Sequence, residues 1–182
     1  MHSKIFCLVG GSGSGKDTIK EQLGLPYIIS YRTRPIRENE VDHVHGFFVT
    51  DELYDFHKSK NMIAAETLYN GHKYWTIQYQ FKDYYDNESP LLYVVDGEGV
   101  KSLRQTFPSE DVIGIYIDVS LGEMVSRMIL RGDNQKNIDS RKRYFEDVVH
   151  KDKEVCQYVV DNNDDIVYAV NEVYKIIIKE IF

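Results

Sequence analysis

Cysteine is scarce in this chain of 182 residues, which holds only Cys7 and Cys156. Two cysteines with no Cys-x-x-Cys pair exclude a disulfide framework, a thiolate zinc site and a dithiol redox motif. Cys7 lies in an apolar run and is expected inside a strand, and a reducing cytoplasm is the expected setting. Long hydrophobic stretches are missing too. The run Ile5-Phe6-Cys7-Leu8-Val9 is too short for a signal segment or a membrane span. Positive charge is in deficit, with 22 lysines and arginines against 29 acidic residues and a net charge of -7. That balance argues against nonspecific nucleic-acid binding, which requires a basic face. Internal repeats and low-complexity linkers are lacking as well. One domain over 1–182 is therefore expected, and a chain of this length hides roughly 70 % of its unfolded surface.

What is present alternates between strand-like and helix-like segments, the pattern of an α/β fold with a parallel sheet. Continuous apolar runs at 5–9, 91–95, 112–119 and 158–160 read as buried strands. Helices are expected at 16–23, 97–105, 121–130 and 138–155. Ile166, Ala169, Val170, Val173 and Ile177 have the spacing of a terminal helix packed on the sheet. Residues 34–79 break the rhythm with short strand-like pieces and an acidic helix start at Asp51-Glu52. They read as a small β-rich insertion. The polar stretch 131–139 reads as a mobile connection between two helices, suited to a lid.

The strongest motif is Gly10-Gly11-Ser12-Gly13-Ser14-Gly15-Lys16-Asp17-Thr18, placed between a strand and a helix as a phosphate-binding loop requires. Glycines let the backbone approach a ligand closely, and its N–H groups converge on phosphate oxygens beside a helix N-terminus. Lys16 adds a full charge at the β- and γ-phosphates. Asp17 follows the lysine where Ser or Thr is usual. It either approaches Mg²⁺, through water and with Thr18 nearby, or serves only the helix dipole. Downstream, Ser30-Tyr31-Arg32-Thr33-Arg34-Pro35-Ile36-Arg37 packs three arginines into six residues, and guanidinium forks match phosphate geometry.

These motifs, followed by Glu40-Val41-Asp42, Phe47-Phe48-Val49, Glu66, Gly71-His72-Lys73-Tyr74-Trp75-Thr76 and Asp96-Gly97-Glu98-Gly99-Val100, resemble the guanylate kinase family. The likeness continues through Arg127-x-x-x-Arg131-Gly132, Ile138-x-x-Arg141 and Val160-Asp161-Asn162, and so spans the chain in order. It implies a P-loop NTPase-type three-layer α/β fold. The core would be 1–33, 80–126 and 156–182, the acceptor-binding insertion 34–79, and the lid with its following helix 127–155. It implies transfer of the γ-phosphoryl group of ATP, with Mg²⁺, to GMP or dGMP, by a cytoplasmic monomer or homodimer.

Carried over by residue, Arg34 and Arg37 hold the acceptor phosphate with Tyr74. Ser30, Glu66, Thr76 and Asp96 line the base pocket. Arg127, Arg131 and Arg141 close over the transferring group, and Asn162 lies near the adenine. A carboxylate at Glu66 suits guanine, whose N1–H and N2–H₂ both donate along one edge. Read without the family, Glu66 is a surface glutamate, Asp96 a helix N-cap and Tyr74 a strand aromatic. His43 and His45 read as loop residues.

The chain departs from the family at several points. Gly46 stands where a phosphate-contacting tyrosine is usual, Val94 replaces an aspartate, and the spacing from Glu66 to Tyr74 is one residue short. Two other readings are a kinase for another phosphorylated acceptor, such as a different nucleoside monophosphate or a ribose bisphosphate, and a catalytically weak binding module.

Overall fold

The structure is a computed structural model, and it describes residues 3–38, 40–69, 71–86 and 89–182. Five parallel strands form the main sheet in the order β2-β7-β1-β8-β9, built from β2 (Tyr27–Ile28), β7 (Leu91–Val94), β1 (Ile5–Val9), β8 (Val112–Asp118) and β9 (Tyr158–Asp161). Central strand β1 is buried along its whole length because helices cover both faces. Ile5, Cys7 and Val9 point to one side and pack with Val100 and Leu103 of α4 (Gly97–Thr106). Phe6 and Leu8 point to the other, against Ile19 of α1 (Lys16–Leu23) and Ala169, Val173 and Ile177 of α7 (Ile166–Ile181). Both thiols are free, and Cys7 is buried in the strand as its apolar context predicts.

A second sheet, order β4-β3-β6-β5, joins β3 (Tyr31–Arg32), which lies just before the insertion, to β4 (Phe47–Phe48), β5 (Ile63–Tyr69) and β6 (His72–Ile77) from within it. Helix α2 (Asp51–Ser59) packs on its outer face, where the Trp75 indole donates to His57 Nδ1 at 3.0 Å. The remaining helices are α3 (Tyr79–Asp86), α5 (Leu121–Leu130) and α6 (Gln135–Glu154). A small cluster of Met124, Met128 and Ile138, with Phe145 against it, ties α5 to α6.

The sequence reading gave no strand where β2 and β3 lie, and two further elements differ from it. Helix α3 falls where no helix is expected, because its sequence Tyr-Gln-Phe-Lys-Asp-Tyr-Tyr-Asp is rich in aromatics of modest helix propensity. Burial of Phe81 in the core supplies the missing drive. The lid connection is also shorter than 131–139, since Asn134 caps α6 by accepting from the Asn137 N–H at 2.9 Å.

Candidate active site

The loop after β1 turns through left-handed glycines, Gly13 at φ 80° and Gly15 at φ 89°. Lys16, at the start of α1, curls back over this loop. Its Nζ donates to the carbonyls of Gly10 and Gly11, both at 2.7 Å, and to Ser14 Oγ at 3.1 Å. Burial pushes the ammonium down to about 8, with Asp17 acting in the opposite direction. Ser14 is buried beneath the loop, and Asn162, also buried, props it by donating Nδ2 to the Ser14 carbonyl at 2.7 Å. A Cβ at Gly15 would lie 2.4 Å from that Nδ2. Gly15→Ala therefore meets both a clash and positive φ. A loss of about 1–3 kcal/mol in unfolding free energy is expected. An unchanged denaturation midpoint would contradict this.

One cavity of about 910 Å³ runs from this loop to the insertion. Gly10, Gly11, Ser12, Gly13, Gly15, Lys16, Asp17 and Thr18 line the end expected to take the donor. Ser30, Arg34, Arg37, Tyr74 and Asp96 line the end expected to take the acceptor, and Arg127, Arg131 and Arg141 the side expected to form the lid. Residues that the sequence spreads from Gly10 to Arg141 thus line one space.

Each arginine has its own setting. Arg34 grips Glu40 with both terminal nitrogens, one at 2.6 Å. Burial raises the Glu40 carboxyl. The Arg34 hydrogen bond and the Arg37 backbone N–H outweigh it and bring Glu40 down to about 2. Arg127 donates to Glu123 Oε1 at 2.7 Å and to the Asn162 carbonyl at 2.8 Å. Arg131 is held by Asp133 and reaches Ser12 Oγ at 3.5 Å. Arg141 is lowered by burial and by the Arg37 and Arg131 charges, with Tyr69 opposing, and no carboxylate among the described residues forms an ion pair with it. A guanidinium without an ion-pair partner that faces a cleft is suited to binding an anion.

Glu66 and Thr76 do not line the cavity. Thr76 is fully buried inside the insertion sheet, and its register partner is Ala65. Glu66 faces α2 instead, accepting from the Tyr54 hydroxyl at 2.6 Å and from Lys58 Nζ. The cause is the two-residue period of a strand. Thr67 pairs across with Tyr74, and both line the cavity, as does Tyr69 on the same face. Glu66 pairs with Trp75 on the other face. The one-residue shortfall between Glu66 and Tyr74 is the signal that, read as strand register, separates them.

Residues the sequence reading missed therefore include Thr67 and Tyr69, together with Tyr144 and Asp152 of α6. Asp96 both caps α4 and faces the cavity: its Oδ1 accepts from the Gly99 N–H at 2.8 Å and from Thr67 Oγ1 at 2.9 Å. Burial raises its carboxyl, and those two hydrogen bonds oppose the shift. Asp152 accepts from the Gly97 N–H at 3.1 Å, and burial pushes it to about 6.

Among the described residues no group of three or more His, Cys, Asp or Glu side chains is placed to hold a metal. His45 Nδ1 accepts from the Val41 N–H at 2.9 Å and acts as a loop residue. The hard oxygen donors beside the phosphate loop, Asp17 and Thr18, are exposed to the cavity. That sparse set fits Mg²⁺, which keeps several waters and takes substrate phosphates as ligands.

A solved guanylate kinase from Anaplasma phagocytophilum superposes with a TM-score of 0.76 at 21% identity, covering 98% of this chain and 86% of that one. A shikimate kinase from Acinetobacter baumannii, solved with shikimate, shares the fold more distantly, with a TM-score of 0.52 at 13% identity over 97% and 94% of the two chains. In sequence the chain is 29% identical over 183 aligned positions to a guanylate kinase from Halalkalibacterium halodurans, covering 97% of this chain and 88% of that protein. The guanylate kinase family model matches residues 2–180. With the phosphate loop and Arg34, Arg37, Arg127, Arg131 and Arg141 gathered on one cavity, the chain belongs to the guanylate kinase family.

Proposed function

We propose that this protein transfers the γ-phosphoryl group of ATP to the phosphate of a guanine nucleoside monophosphate, GMP or dGMP, giving ADP and the diphosphate. The observation that carries this reading is the single cavity in which Lys16 and the phosphate loop face Arg34 and Arg37 across the lid arginines. The acceptor phosphate is already anionic near neutral pH, so the attacking oxygen needs no strong base. Catalysis then rests on positioning and charge stabilisation.

Lys16 exchanges its two loop carbonyls for phosphate oxygens of the donor. Arg34, Arg37 and Tyr74 hold the acceptor phosphate. Arg131 and Arg141, on opposite sides of the short lid turn, neutralise charge on the group in transit, and Arg127 braces the loop bearing Asn162. Asp17 and Thr18 are the residues that would hold Mg²⁺, which would supply charge neutralisation on the donor phosphates. Closure of the lid and insertion keeps water out, so that ATP is not hydrolysed.

At the base end, Asp96 is the carboxylate available to guanine's N1–H and N2–H₂. Thr67 and Gly99 occupy its Oδ1 and leave Oδ2 for the ligand.

ADP release with ATP and Mg²⁺, measured across GMP, dGMP, AMP, CMP, UMP, dTMP and ribose bisphosphate, is expected to be strong with GMP or dGMP alone. Turnover with a different acceptor keeps the kinase and discards the guanine pocket. The face that Glu66 occupies is the observation favouring that second reading. ATP binding without any turnover would favour a binding module.

A further inference from the structure

Arg32 is absent from the cavity wall yet is built against it. Its guanidinium lies one layer behind Ser30, and Nη2 donates to Ser30 Oγ at 3.0 Å. It lies beside two rings, with its central carbon 5.3 Å from the centroid of Phe48 and 6.0 Å from that of Tyr74. Arg32 Nε is buried and has no hydrogen-bond partner among the described residues. The nearest carboxylate, Glu40, is 3.8 Å from Arg32 Nη1, and Arg34 already holds it with two hydrogen bonds. Two largely buried guanidiniums therefore share one carboxylate, while Arg37 lines the cavity beside them. A buried excess of positive charge is costly unless an anion completes it.

Gly46 explains how a third arginine fits. A Cβ at that position would lie 2.4 Å from Arg32 Nε and 2.5 Å from its central carbon. Arg32 fills the space that any larger residue at 46 would need.

We infer that Arg32 is a positioning residue for the acceptor, admitted by Gly46, which adds a third guanidinium charge behind the acceptor phosphate and fixes Ser30 as a hydrogen-bond donor into the cavity. The polarity of Ser30 follows from the chemistry of its hydroxyl. Oγ accepts from Arg32, which leaves its O–H free to donate to an acceptor atom of the ligand. The charge acts through Arg34 and Tyr74, both of which Arg32 touches or repels across a low-dielectric layer. The acceptor end is thereby matched to a phosphate dianion rather than to a monoanion or a neutral sugar.

This inference rests on the kinase reading. Its test uses the full chain and the acceptor from the panel above that the wild type turns over best. Arg32→Gln is expected to raise the KM for that acceptor by roughly tenfold, with kcat and the KM for ATP within about twofold. Arg32→Lys is expected to recover part of the loss. Gly46→Ala keeps every charge but pushes the guanidinium off Ser30, and it is expected to raise the same KM. The acceptor KM should also depend less on salt in Arg32→Gln than in the wild type. A purely structural Arg32 gives a lower melting temperature with an unchanged acceptor KM in both variants, and that result overturns the inference. A wild type that turns over no phosphorylated acceptor overturns the kinase reading and this inference together. A wild type that turns over one, with Arg32→Gln indistinguishable from it, overturns the role of Arg32 alone.

Discussion

Lys16→Met is expected to lower kcat by at least about a thousandfold while the protein stays folded, because one preorganised cation at a transferring phosphoryl group is worth that much or more. The side chain is unbranched and apolar like the lysine stem, so the packing around it survives. What is lost is one buried charge and its bonds to the carbonyls of Gly10 and Gly11. Those carbonyls lie beside an open cavity where water replaces the donor. Thermal denaturation should therefore move by only a few degrees while turnover disappears. Turnover near the wild-type rate in a folded Lys16→Met protein sinks the assignment of the phosphate loop.

The same residue predicts a pH effect with a definite sign. Burial holds the free ammonium at about 8, below its usual range. A phosphate beside it favours the charged form and raises that value. The ATP complex thus binds more protons than the free protein from about pH 8 upward, and ATP affinity falls as pH rises through that region. Calorimetry at pH 8.5 in two buffers of different ionisation heat should show proton uptake on ATP binding, and Lys16→Met should abolish it.

Asp96→Asn is expected to cost about a hundredfold or more in kcat/KM for GMP, and Glu66→Gln less than about threefold. A site built to hydrogen-bond a ligand edge discriminates strongly, because mismatched polar groups are left unpaired in a dry pocket. Replacing Oδ2 by an amide NH₂ sets donor against donor at guanine's edge. The substitution is otherwise gentle. Asn caps helices about as well as Asp, so the Gly99 N–H and the Thr67 hydroxyl keep their acceptor at Oδ1. Glu66 instead clamps α2 to β5 through Tyr54 and Lys58, and its loss should appear in the melting temperature rather than in KM. Thr67→Val, close in shape but without the hydroxyl, should fall between the two, and Thr67→Ser should restore the wild type. If Glu66→Gln loses GMP turnover as Asp96→Asn does, the base pocket lies on the other face of β5.

The donor end was legible because it is contiguous. Nine residues, Gly10 to Thr18, carry loop, lysine and helix start together, and strand–loop–helix geometry follows from local periodicity and glycine content alone. The parallel sheet was legible for a related reason, since strands buried on both faces show as unbroken apolar runs. The arginines of the acceptor and lid could be named in sequence. That they converge on one cavity required the fold.

The base pocket was not legible in the same way. Glu66 and Thr67 are neighbours in sequence but face opposite sides of β5, and register against Tyr74 and Trp75 decides which one lines the cavity. The exchange between Arg32 and Gly46 is likewise set by a contact across fourteen positions, from 32 to 46.

By itself, the sequence determined the phosphate loop, the α/β class and the family. Those depend on residue types at short spacing, where the backbone leaves little choice. Only the tertiary structure decided which side chains line the cavity. A strand turns successive residues to opposite faces, and the face that is buried against the cavity is chosen by pairing with strands and helices far away in the chain.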